Sequence, residues 1–157
     1  MQLKVKKLAG HVETPFYRYP DDSGLDLSTI FHEMIPDDAT AVIKTGIAVE
    51  LPAGTEMQIR PRSSWSAAGL YCHFGTVDEG YRGEIKVVIT NKSGDDVFLP
   101  VGTRIAQGVI CPVRRPKIVV VENLSQSARG SNGFGHTGMG GGEIVENLAS
   151  HEVGGAE

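Results

Sequence analysis

The chain has only two cysteines, Cys72 and Cys111, and neither lies in a CxxC pair or at a Cys/His metal-ligand spacing. That excludes a disulfide framework and a zinc finger, and points to reduced thiols in a cytoplasmic protein. No apolar run approaches the roughly 18 residues of a membrane span. The first ten residues, MQLKVKKLAG, carry lysines without a following apolar stretch, so no secretory signal is expected. Walker A spacing is absent, as is any clear amphipathic helical period. A basic excess is missing too: the net charge is −4 across 157 residues. All of it comes from the end. From Gly138 onward there are four glutamates and no Lys or Arg, which leaves 15 acidic against 15 basic residues before it. A neutral body does not suit stable nucleic-acid binding, which relies on many phosphate contacts. It does suit a small phosphorylated ligand, for which a few placed donors suffice.

Short alternating segments separated by turns make up most of the rest. Residues 3–8 (LKVKKL) alternate apolar with Lys, and 11–22 read as loop around Pro15 and Pro20. The run TAVIKTGIAVEL sets Ile43, Ile47, Val49 and Leu51 on one face, the clearest two-residue period in the chain. TEMQIRP returns with Met57 and Ile59 inward, and Ser63 to Ala68 has room for one helical turn. Residues 84–91 place Ile85, Val87 and Ile89 on one face, followed by the turn KSGDD. Residues 97–99, 104–113 and 118–121 complete the expected strands. Such a pattern indicates an all-β domain, a distorted jelly roll or β-barrel. Three regions are expected: a barrel over 1–124, a flexible Gly-rich C-terminal arm over 125–138, and a disordered acidic tail over 139–157.

Unusual chemistry concentrates in residues 61–83, PRSSWSAAGLYCHFGTVDEGYRG. Arg62 offers a planar fork for phosphate and Ser63 a hydroxyl donor, although a charged turn would read the same. Asp78 and Tyr81 flank a Gly-containing turn; the Asp is either a turn former or a proton acceptor near phosphates. Asp26 stands between Leu25 and Leu27, as a solvated edge residue or as one aimed into a site. Gln107 has apolar neighbours and needs a hydrogen-bond partner, in the core or in a ligand. His73 and His136 lack spaced partners for metal binding. GFGHTG at 133–138 fits GxGxxG, but the strand before and helix after that a dinucleotide site requires are missing. Glycines with Arg129, Ser131 and Thr137 fit a phosphate wrap better.

Five ordered segments then stand together: SGLDLS (23–28), PRSSWSAAGL (61–70), GTVDEGYRGEI (75–85), GTRIAQGVI (102–110) and RGSNGFGHTG (129–138). In content and order they resemble the five motifs of the trimeric dUTPase family, over residues 3–138. The resemblance implies a jelly-roll-like subunit in a homotrimer with shared active sites. It implies hydrolysis of dUTP to dUMP and pyrophosphate with Mg²⁺, which limits uracil in DNA and supplies dUMP for dTMP synthesis. Asp78 would activate the attacking water, and Tyr81 would pack on the deoxyribose. Thr76, Val77 and Lys86 would line the uracil pocket, with Cys72 where an Asn is common. Arg62, Ser63, Ser64 and Gln107 would contact phosphates, and Asp26 would hold the metal through water. From the arm, Arg129 and Thr137 would grip the γ-phosphate while Phe134, beside Gly135, stacks on uracil. The location implied is cytoplasmic, or host cytoplasm for a viral source, with no membrane partner.

Two departures from the family stand out: Ser64-Trp65 replaces a common Gly-Leu, and Cys72 replaces the Asn. A dCTP deaminase, or a bifunctional deaminase-dUTPase, shares the fold and similar motifs. It needs a Glu at the position of Val88, which cannot relay protons. A non-catalytic regulatory module on the same scaffold is the remaining alternative.

Overall fold

A computed structural model describes residues 1–132. The described residues divide at Pro116 into a first unit, Met1–Pro116, and a second that begins at Lys117. The first unit holds eleven strands and one short helix: β1 (Lys4–Lys7), β2 (Leu25–Ser28), β3 (Glu33–Ile35), β4 (Thr40–Lys44), β5 (Ile47–Glu50), β6 (Thr55–Arg60), α1 (Ser63–Ala67), β7 (Leu70–Cys72), β8 (Gly75–Val77), β9 (Lys86–Asn91), β10 (Val97–Leu99) and β11 (Arg104–Pro112). Every described strand pair is antiparallel. The expected all-β architecture is what forms.

Four sheets wrap one core. The largest has the order β2-β11-β6-β8, beside β4-β9-β7 and the pairs β1-β5 and β10-β3. Alternation explains the packing. Met57 and Ile59 of β6 are 0% and 3% exposed, while Val87 and Ile89 of β9 are 0% and 2% exposed. Burying aliphatic side chains of this size contributes roughly 1.5–3 kcal/mol each. Asn91 ends β9 inside the core, where its Nδ2 donates to the Ile35 and Asp95 oxygens at 2.9 and 2.8 Å. Among the described residues, no buried side-chain nitrogen or oxygen lacks a partner.

Two expectations need correction. The periodic run 40–51 is not one strand. It breaks at Thr45-Gly46, so that β4 pairs with β9 while β5 pairs with β1. Gly46 makes the break possible with φ of 66°. A β-carbon there would come within 2.6 Å of Val12 and 2.7 Å of Ile30, so only glycine fits. Residues 118–121, expected as a strand, pair with nothing among the described residues. Ile118 and Val120 are 89% and 94% exposed.

Candidate active site

The β6–β8 ladder sets the first cluster. Val77 lies opposite Met57 and Thr76 opposite Gln58, which delivers Asp78 to the start of β6. A turn follows, closed by the Tyr81 amide donating to the Asp78 carbonyl at 3.0 Å. Glu79 holds that turn against the β5–β6 loop by accepting from the Gly54 amide at 3.1 Å. The result is a pocket of about 240 Å³ lined by Thr76, Val77, Asp78, Tyr81, Glu84, Ile85 and Lys86. Five residues singled out in the sequence therefore face one cavity.

Tyr81 is fixed rather than free. Its hydroxyl donates to the Glu84 carbonyl at 3.0 Å. Gly83 leaves space for the ring: a β-carbon there would lie 2.5 Å from Tyr81 Cζ. Glu84 in turn accepts from the Gly46 amide at 3.0 Å, tying the pocket to the β4–β5 break.

A second cluster forms around Asp26. It is 8% exposed, which settles its orientation inward. Arg62 donates to Asp26 Oδ1, and Arg104 donates to Oδ2 at 2.9 Å. Gln107 of β11 lies opposite Asp26 on one side and Arg60 on the other. Ser63 and Ser64, both exposed, begin α1 directly after Arg62. One carboxylate between two guanidiniums leaves a net positive group, and each guanidinium keeps most of its five N–H donors. This arrangement suits a phosphate chain.

The two clusters stand at opposite ends of β6. By register Asp78 falls level with Glu56, and Arg62 follows the strand's end six positions further along the chain. At about 3.3 Å per residue they are roughly 20 Å apart.

Cys72 lies elsewhere. It sits at the end of β7, opposite Ile89, half-buried and packed on the core. Burial pushes its thiol up to about 11. It does not line the Asp78 pocket. Neighbouring His73 shares a hydrogen bond with the Thr90 hydroxyl at 2.7 Å. In the second unit, Arg129 Nε donates to the Asn132 carbonyl at 3.0 Å. Phe134, Gly135 and Thr137 lie outside the described residues.

No cluster of three or more His, Cys, Asp or Glu among the described residues is placed to hold a metal. Asp26 by itself could meet a metal brought by a ligand: its two oxygens offer about four lone-pair sites and the arginines use two. Mg²⁺ commonly keeps its waters and binds one or two carboxylates together with substrate phosphates.

Comparison with known proteins decides the family. Residues 11–138 match the dUTPase family model. The chain belongs to the dUTPase family. Curated relatives named deoxyuridine 5'-triphosphate nucleotidohydrolase include those of Gloeothece citriformis, 47% identical over 88% of this chain and 98% of that protein, and Clostridioides difficile, 42% identical over 87% and 98%. A solved dUTPase mutant from Staphylococcus bacteriophage 80alpha with dUpNHpp superposes with a TM-score of 0.82 at 28% identity, covering 88% of this chain and 99% of that one. A mutant dUTPase of phage phi11 of S. aureus, 25% identical with a TM-score of 0.73, is described as showing coordination of a structural Mg(II) ion; it covers 78% of this chain and 98% of its own.

Sequence reasoning missed Arg104 and Glu84 in these dUTPase clusters. Arg104 lies in the GTRIAQGVI segment, three residues before Gln107, and that proximity was the available signal. Glu84 contributes through its main chain and a loop contact, neither of which leaves a pattern.

Proposed function

We propose that this chain hydrolyses dUTP to dUMP and pyrophosphate at sites assembled between the copies of a homotrimer. The pocket that gathers Thr76, Val77, Asp78, Tyr81 and Lys86 carries the reading. Asp78 takes the proton from a water that attacks the α-phosphorus; a new P–O bond forms, the bond to the bridging oxygen breaks, and pyrophosphate leaves. Tyr81 packs on the deoxyribose and leaves no room for a 2′-hydroxyl, while main-chain groups of 76–78, with Lys86 nearby, read uracil. Cys72 stands by as a packing residue behind this hairpin.

Arg62, Ser63, Ser64 and Gln107 donate to the phosphate chain, offsetting charge as it develops on the leaving group. Asp26 would hold, through water, a Mg²⁺ brought by the triphosphate, and the ion would supply further charge neutralisation. The distance along β6 supports a shared site, since Asp78 of one copy can meet Arg62 of another only across an interface. Arg129, Gly135 and Thr137 of the arm grip the γ-phosphate, and Phe134 stacks on the base, as a lid that closes over bound ligand. The enzyme would act in the cytoplasm, limiting uracil in DNA and supplying dUMP for dTMP synthesis.

The test is pyrophosphate release from dUTP, UTP, dTTP and dCTP with and without Mg²⁺. Turnover of dUTP alone, lost on chelation and lost in Asp78→Asn, is expected. Equal turnover of UTP, ammonia release from dCTP, or a fully active Asp78→Asn protein contradicts the proposal.

A further inference from the structure

Helix α1 is held in place by unusual means. It is five residues long, buries no residue, and its N-cap Arg62 makes no side-chain capping bond. A helix that short has no stability of its own. Its anchor is Trp65, the sole tryptophan of the chain. The indole packs against the core and its Nε1 donates to the Arg104 main-chain oxygen at 2.7 Å.

That bond closes a ring. The Arg62 carbonyl accepts from the Trp65 amide at 3.1 Å. Trp65 reaches the Arg104 backbone, the Arg104 side chain reaches Asp26 Oδ2 at 2.9 Å, and Asp26 Oδ1 accepts from Arg62. Three segments far apart in sequence, around residues 26, 62–65 and 104, are thereby locked to one another. Each link fixes one end of a guanidinium: Trp65 fixes the backbones of Arg62 and Arg104, and Asp26 fixes their heads.

We infer that Trp65 is a positioning residue for phosphate binding, acting through its indole N–H on Arg104 and, through Asp26, on Arg62. Arg104 joins Arg62 as a donor to the phosphate chain. The inference rests on the proposed dUTP site but has an independent readout. Without the N–H, the Arg104 carbonyl loses its partner and α1 its tether, so the two guanidiniums no longer hold one spacing. The base and sugar pocket, at the other end of β6, is untouched.

The experiment measures Mg²⁺-pyrophosphate and deoxyuridine binding calorimetrically in the full-length wild type and W65F, with dUTP turnover in parallel. W65F is expected to bind pyrophosphate about five- to tenfold more weakly, the worth of one lost neutral hydrogen bond. Deoxyuridine binding stays the same, and KM for dUTP rises with kcat nearly unchanged. Should W65F fail to fold, benzothienylalanine at position 65, which keeps the bicyclic shape and lacks only the N–H, carries the test with the same selective loss. Unchanged pyrophosphate binding in a folded variant overturns the inference, as does equal weakening of both ligands. Absence of dUTP turnover in the wild type would instead overturn the function, leaving the pyrophosphate comparison to decide the role of Trp65.

Discussion

The Tyr81 hydroxyl donates to the Glu84 main-chain oxygen at 3.0 Å, and Gly83 lies where any β-carbon would strike that ring. The ring is thus pinned at its tip and hemmed in at its edge, which makes it a rigid wall of the Asp78 pocket. Gly83→Ala should push the ring aside. Overpacking of this kind costs about 1–3 kcal/mol of stability. The ratio of kcat/KM for dUTP over UTP should fall by about tenfold, as expected when a pocket wall worth some 1–3 kcal/mol of discrimination gives way. Parallel kinetics on the two nucleotides check this.

Asp26 joins two cations that would otherwise repel. Its side chain is 10% exposed, against 22% for Arg62 and 42% for Arg104. Asp26→Asn keeps the shape but leaves both guanidiniums without a counter-charge. Half-exposed Arg104 can turn to solvent, so the loss should be about 1–3 kcal/mol rather than the larger value of a fully buried pair. Urea denaturation should show it, with the deficit shrinking as salt rises.

Cys72 has a pH signature. Its thiol rises from an ordinary 9.0 to about 11 through burial alone. The folded state therefore keeps a proton that the unfolded state has lost between those values. Stability from this group is fully present below pH 9 and declines as pH climbs toward 11. At a half-buried position the effect should be about 1 kcal/mol. Urea midpoints at neutral and alkaline pH should fall more steeply for wild type than for Cys72→Val. Alkylation of Cys72 by iodoacetamide should also be about a hundredfold slower than that of a free thiol, from its smaller thiolate fraction.

Much of the fold could be read from alternation. β6 and β9 bury the residues that a two-residue period selects, and the single helical turn falls at Ser63–Ala67. The break at Gly46 was hidden because the period continues through it, although the two halves join different sheets. Residues 118–121 have strand composition, yet composition cannot supply a pairing partner. For the site, residues 76–86 were legible as a unit because they are local in sequence. The Asp26–Arg104 pair was not: its members are 78 residues apart, and a single sequence carries no signal at that range. Trp65 drew notice only as a departure from a common pattern. Its hydrogen bond gives that departure a physical meaning.

Asp78 and Arg62 lie at opposite ends of β6, and the proposed site takes them from different copies. Mixing subunits tests that claim most directly. Asp78→Asn and Arg62→Ala chains, each inactive alone, are unfolded together in equal amounts, refolded, and assayed for dUTP hydrolysis. Sites shared between copies should recover about a quarter of wild-type activity, the fraction that draws each intact residue from the chain that still has it. A mixture that stays as inactive as its components would contradict the shared site.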